Sequence, residues 1–385
     1  MNPRQSYLHI GLIITALIIL AAIAVPEKAA ANPGSSARYQ LSSDLEVTPG
    51  LIPCRQDGVQ QASSSQPWSP TRLEAAQPYP LPSVDALPQV STRLNDPGAE
   101  PVYIPSVPPG NSSSADGDPF ILNTETASGY EYPAPYTRFE NFDSYQVFPY
   151  SANGVLFFSQ RGSDFRCSAS VVGENAVWTA AHCLHDGSGE LEGCSEDVVF
   201  IPAYEDGSEP FGRWEFSDLV IDQSWYDNGD LRFDFGGVIL NPNGSDQSVQ
   251  EVVGSLGFAF NLDIEQHWFN IAYPSEFPFD GKSMQICAGS FARLASNPTF
   301  PVPIGMGCDM TKGSSGGAWI TNFSGSSGGM NFLNGNNSFR YTGFGEEIYS
   351  PYFGEAAEDL LNYISTDTRM RSDIHIPLIT HSEDD

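Results

Sequence analysis

From Tyr145 to about residue 365 the chain is written in short apolar runs cut by Gly, Asn and Asp. Val155–Phe158, Cys167–Val172, Ala176–Thr179, Val198–Ile201, Gly237–Leu240, Trp268–Ile271 and Ala318–Thr321 are such runs. They are too short for helices that bury a stripe, and turn residues separate them, which predicts an all-β sandwich or barrel. One helix is expected near the end, where Ala357, Leu360, Leu361 and Ile364 recur at i, i+3, i+4 and i+7. No internal repeat is found. Residues 371–385 read as an acidic, solvated tail.

Residues 32–144 have the opposite texture. Runs such as Gln77-Pro78-Tyr79-Pro80-Leu81-Pro82 and Pro105-Ser106-Val107-Pro108-Pro109-Gly110 are rich in proline and poor in apolar stretches. Proline removes backbone donors and favours extended chain, so the segment is expected to build no packed core and to serve as a propeptide, stalk or disordered linker. The first 31 residues read as an export signal: Arg4, the apolar run Ile10 to Val25, then the small residues Ala29-Ala30-Ala31. The run is shorter than the roughly 20 residues that span a bilayer. Cleavage and secretion to an extracellular or periplasmic destination are therefore expected, with no stable membrane insertion afterwards. An uncleaved anchor, extended by Tyr7 and Leu8, is the alternative.

The formal charge of −30 argues against nucleic acid as a partner, since such a surface repels phosphate backbones. It would steer cationic substrates toward itself. Six cysteines, Cys54, Cys167, Cys183, Cys194, Cys287 and Cys308, suit an oxidising compartment. Their spacing alone permits fifteen pairings. No C-x-x-C pair occurs, so no zinc site and no cofactor is expected. Acidic loops such as Glu205-Asp206-Gly207 could attract calcium, but read more simply as solvated turns. A monomer acting on protein or peptide substrates is expected.

Three separated segments carry chemistry. In Trp178-Thr179-Ala180-Ala181-His182-Cys183 an apolar strand runs into small residues and would present His182 at its end. In Phe233-Asp234-Phe235-Gly236-Gly237 a carboxylate lies between aromatic residues at the start of a buried strand. Such a group is costly unless paired, and an imidazole N–H would satisfy it. Asp230, in more polar surroundings beside Gly229, is the rival and suits an exposed turn better. In Gly313-Ser314-Ser315-Gly316-Gly317 the glycines permit a tight backbone that exposes a hydroxyl and gathers N–H groups. The nearby Ser324–Gly329 stretch has a similar composition, but lacks the flanking cysteine and apolar run and reads as a linker.

Together the three segments resemble the trypsin-like serine peptidases of the chymotrypsin clan. Thr179-Ala180-Ala181-His182-Cys183 matches that family's histidine motif throughout, and Gly313–Gly317 matches its nucleophile motif except for Ser314 in place of aspartate. The order His, Asp, Ser is also that of chymotrypsin. The resemblance covers about residues 145–365, and looks closest to extracellular bacterial members related to glutamyl endopeptidases. It implies two six-stranded β-barrels with the active site between them. It implies catalysis by His182, Asp234 and Ser315 through an acyl-enzyme, with the Gly313 and Ser315 N–H groups as oxyanion hole. It also implies a Cys167–Cys183 bridge beside the histidine, and then Cys287 with Cys308 at the nucleophile loop. Cys54 and Cys194 are expected to tie the N-terminal region to the barrels.

Ser314 cannot pair with a newly cut N-terminus as the family's aspartate does, so that activation route is closed in the same form. Asp309, six residues before Ser315, occupies the place of a specificity-pocket carboxylate and suggests basic or broad specificity. The likeness to glutamyl endopeptidases suggests acidic substrates instead, although no histidine lies near Asn337-Ser338-Phe339, where the resemblance puts the pocket wall. Two other function classes compete: a non-catalytic binding protein on a protease fold, and a surface-tethered stalk protein. No member of the Ser-His-Asp set is missing, which argues against the first. The second leaves the three motifs unexplained.

Overall fold

The computed structural model describes residues 50–54, 67–85, 99–110, 134–140, 144–296, 300–324, 330–343 and 346–366. The signal-like segment, the 325–329 linker and the acidic tail lie outside them. Six antiparallel strands, Asn153–Gln160, Ser163–Val171, Ala176–Thr179, Glu196–Pro202, Trp214–Asp222 and Gly236–Leu240, form a closed ring. Closure removes the exposed edges that an open sheet would have to protect. Val155, Leu156, Phe157 and Phe158 are all fully buried, as are Trp178 and Val220.

The second barrel-like body is built on a sheet whose order runs Glu347–Ser350, Ile304–Gly307, Gln285–Leu294, His267–Ala272, Ala318–Thr321, Phe332–Asn336, Gly257–Phe260. The C-terminal helix is Glu355–Ser365, and it buries the four residues picked out by periodicity, Ala357, Leu360, Leu361 and Ile364. It packs on the strands Gly236–Leu240 and Gly257–Phe260, one from each body. Gly237 makes room for it, because a Cβ there would lie 2.6 Å from Ile364 Cγ2.

The described parts of residues 32–144 pack against the two bodies. Leu51–Pro53 pairs antiparallel with Val220–Asp222, and Cys54 is bonded to Cys194. Trp68, Leu73, Ala76 and Tyr79 enter the main core. Val102–Ile104 pairs with Phe258–Phe260, and Tyr136–Glu140 with Gln285–Gly289. Proline-rich chain cannot supply a core of its own, yet its extended backbone can line the edge of another sheet while single large side chains fill pockets there.

Asp222 caps the short helix Gln223–Asn228, its Oδ1 accepting the Ser224 N–H at 2.7 Å. Burial pushes its carboxyl up from 3.8 to about 7, with Asp230 adding repulsion. Between those values the folded protein holds a proton that the unfolded chain has released. The stability contribution is therefore full below pH 3.8 and lost as pH rises through about 7. Asp222→Asn is expected to match wild type near pH 4 and exceed it at pH 8 by up to about 4 kcal/mol in urea titrations, since each tenfold change in proton affinity is worth ~1.4 kcal/mol. A difference independent of pH would contradict this account.

Candidate active site

Strand register brings the chemistry-bearing segments together. Gly236 pairs with Thr179, so Asp234 and His182 leave the same end of two neighbouring strands. Ala318 pairs with Asn336, so Ser315 and Ser338 share an end in the second body. The two ends meet. The Ser168 N–H donates to the Ser315 carbonyl at 2.8 Å, and Trp178 Nε1 donates to Asn336 Oδ1 at 3.2 Å.

His182 and Asp234 are both fully buried. Nδ1 of His182 lies 2.7 Å from Asp234 Oδ2, and the His182 backbone N–H donates to Oδ1 at 2.9 Å. Ser338 Oγ donates to Oδ2 at 2.6 Å, and Asn336 Nδ2 donates to the Asp234 carbonyl at 3.1 Å. A carboxylate accepts only, so Nδ1 must carry the proton, and a neutral ring then has its lone pair at Nε2. That atom and Ser315 Oγ are both buried without a hydrogen-bond partner. Leaving such atoms unpaired costs roughly 1–3 kcal/mol each, a cost that structural side chains seldom carry.

The nucleophile loop depends on its glycines. Gly313 and Gly316 have φ of +87° and +79°, where a side chain is strained. A Cβ on Gly316 would also fall 2.1 Å from Thr179 Oγ1 and 2.3 Å from the Ser168 carbonyl. Behind the loop, Asn337 Nδ2 donates to the Ser314 carbonyl at 3.0 Å, while its Oδ1 accepts Trp319 Nε1 at 2.7 Å and Asn270 Nδ2 at 2.6 Å. Bridges join Cys287 to Cys308 below the loop and Cys167 to Cys183 beside the histidine.

No protein-family model matches the chain. The extracellular metalloprotease of Bacillus subtilis (strain 168) is 26% identical over 96 residues, 24% of this chain and 30% of that protein. The chain thus spans less than a third of that curated relative's length. The protease Anisep from Arthrobacter nicotinovorans is 33% identical in a superposition covering 56% of this chain and 96% of that one, with a TM-score of 0.51. AL20, a thermostable serine protease from an extremophilic microorganism, is 35% identical over 57% of this chain and 98% of its own, also at 0.51. This chain belongs to the trypsin-like serine proteases.

Within this serine protease the other sequence-derived expectations fare unevenly. Asp309, read as a pocket carboxylate, is engaged by Arg138 from the N-terminal arm at 2.7 Å. A basic substrate side chain would have to displace that pair. Beside it, the Arg340 guanidinium donates to the carbonyls of Cys308, at 2.8 Å, and Met310. Asp230 is no exposed turn: it is fully buried against Arg232, with Oδ2 at 2.6 Å from Nη2. Two positions downstream, Arg232 neutralises the charge that burial would otherwise penalise. In the 205–207 turn, Asp206 pairs with Lys282 at 2.6 Å and Glu205 accepts from Ser283 Oγ at 2.9 Å. Two groupings have metal-like spacing among the described residues, Cys167–His182–Cys183 and Cys287–Cys308–Asp309. Their cysteines are all in disulfides and offer no thiolate.

Sequence reading missed Asn336 and Arg340, and took Asn337 and Ser338 only as part of a pocket wall. The polar run Asn336-Asn337-Ser338 at the end of the strand Phe332–Asn336 was the available signal.

Proposed function

We propose that the protein is a secreted serine endopeptidase in which Ser315 is the nucleophile, His182 the general base and Asp234 the group that orients the histidine. The observation that carries this reading is the doubly anchored histidine, held by Asp234 through both Nδ1 and its backbone N–H. A serine hydroxyl is a weak nucleophile until a base takes its proton. In the proposed reaction Ser315 Oγ bonds to the substrate carbonyl carbon while its proton passes to His182 Nε2. The developing oxyanion is held by the Gly313 and Ser315 N–H groups. The C–N bond then breaks, His182 gives its proton to the leaving amine, and the acyl group stays on Ser315. Water, activated by the same histidine, releases the acid and restores the serine.

Export is part of the proposal, and three disulfides support an oxidising destination. Incubation with an unfolded protein substrate, before and after trial proteolysis of the N-terminal arm, tests the function. The reading expects internal cleavages whose new C-termini reveal the side chain preferred at the cut. Release of single terminal residues only, or no cleavage in either state, would contradict it.

A further inference from the structure

We infer that residues 76–84 are an intramolecular inhibitor, a strap that the chain lays across its own catalytic cleft; this deepens the proposed function and rests on it. His182 and Ser315 are fully buried, although an endopeptidase must admit a peptide to both. Tyr79 covers the histidine and reaches the backbone of the nucleophile loop. Its ring stacks on the His182 imidazole, with centroids 5.4 Å apart and planes at 26°. Its hydroxyl donates to Gln160 Oε1 at 2.5 Å, and its N–H donates to the Arg166 carbonyl at 3.0 Å. Its own carbonyl accepts the Gly313 N–H at 3.4 Å, the donor proposed for the oxyanion.

The flanks bind both halves of the protein. Gln77–Pro78 runs parallel to Phe165–Arg166 in the first barrel, and Arg166 Nε donates to the Ala76 carbonyl at 3.1 Å. Ser83–Val84 runs parallel to Arg340–Tyr341 in the second body. There the N–H groups of Arg340 and Thr342 donate to the carbonyls of Pro82 and Val84 at 2.9 and 3.0 Å. An extended peptide added to sheet edges is how a substrate backbone would also be held.

Three features make this segment an occupant and not a substrate. The carbonyl it offers to Gly313 belongs to the Tyr79–Pro80 bond, whose nitrogen is tertiary and sits in a ring. The Tyr79 ring covers the imidazole that would have to protonate that nitrogen. Pro78, Pro80 and Pro82 fix their own φ angles, so little chain entropy is lost on docking. Anchors upstream hold the strap in place. Arg72 pairs with Asp164 at 2.8 Å, Trp68 Nε1 donates to the Asp197 carbonyl at 2.7 Å, and the Cys54–Cys194 bridge ties the arm to the first barrel. Tethering of this kind raises occupancy by about 10²–10⁴ over the free peptide.

The test uses the full chain with recognition sequences for a site-specific protease inserted in 55–66 and 86–98, folded first and cut afterwards. The released 67–85 peptide is removed by gel filtration. Ser315 labelling by a fluorophosphonate is then read beside diethyl pyrocarbonate modification of histidines, with exposed His267 as internal reference. Cutting is expected to raise the Ser315 labelling rate at least about 100-fold and to make His182 reactive, while His267 stays unchanged. Adding the synthetic 67–85 peptide should reverse both, and Tyr79→Ala should act in the same direction without cutting. The strap is overturned if His182 reacts as fast as His267 before cutting, or if removal changes neither readout. If His182 becomes reactive but Ser315 never labels, the strap stands and the catalytic reading falls. If Ser315 labels equally before and after, the catalytic reading stands and the strap falls.

Discussion

Ser315→Ala, assayed on an internally quenched peptide after the strap is released, is expected to lower kcat by about 10⁶-fold. Without the hydroxyl the proposed acyl-enzyme cannot form, and only binding and the proposed oxyanion donors would remain to help water attack, a residual of about 10³–10⁴ over the uncatalysed rate. The fold has no stake in this atom. Ser315 Oγ makes no hydrogen bond, and the backbone contacts of the loop, such as the Ser168 N–H to the Ser315 carbonyl, survive the change. Because the lost hydroxyl is buried and unpaired, the melting temperature is expected to hold or rise while activity disappears. A variant that keeps more than a hundredth of its activity would remove Ser315 from the chemistry.

Asp234→Asn should be nearly as damaging, and for a different reason. The carboxylate accepts from His182 Nδ1, from the His182 backbone and from Ser338 Oγ. An amide offers one oxygen and one NH2, so its nitrogen must face a donor. The imidazole can satisfy that nitrogen only by moving its proton to Nε2, which leaves it unable to act as base. The expected loss in kcat is about 10⁴-fold, the scale of the equivalent change in a trypsin-like triad. Unlike Ser315→Ala, this substitution should also destabilise the protein, by about 1–3 kcal/mol for the mismatched buried donors. Steady-state kinetics with urea titrations check both halves; unchanged kcat would mean that the histidine needs no fixed tautomer.

How much of this could be read from the chain depends on how local each feature is. His182, Asp234 and Ser315 each stand in a short pattern that marks them: a strand end, an aromatic-flanked carboxylate, a glycine-held serine. The strands that are continuous apolar runs, such as Val155–Phe158, are legible for the same reason. Trp214–Asp222 is not, because Glu215, Ser217, Asp218 and Asp222 interrupt its apolar residues. Ser338 acquires its contact with Asp234 only through pairing across more than a hundred residues, so the polar run it ends marks a place without naming the partner. The Asp309–Arg138 pair is equally non-local, since Arg138 arrives on an arm strand laid along Gln285–Gly289. Asp230 differs: Arg232 stands two residues away, and pairing with it was a local possibility that the polar surroundings obscured. For the arm, proline-rich composition argues against a core of its own. It is silent on whether another core has edges to offer.

The central claim is an activated serine at position 315, and covalent capture tests it most directly. Strap-released protein treated with a fluorophosphonate should gain one adduct per chain, mapped by peptide mass spectrometry to Ser315 and absent from Ser315→Ala. An unmodified Ser315 in protein whose His182 is open to diethyl pyrocarbonate, or an adduct on another residue, would contradict the account.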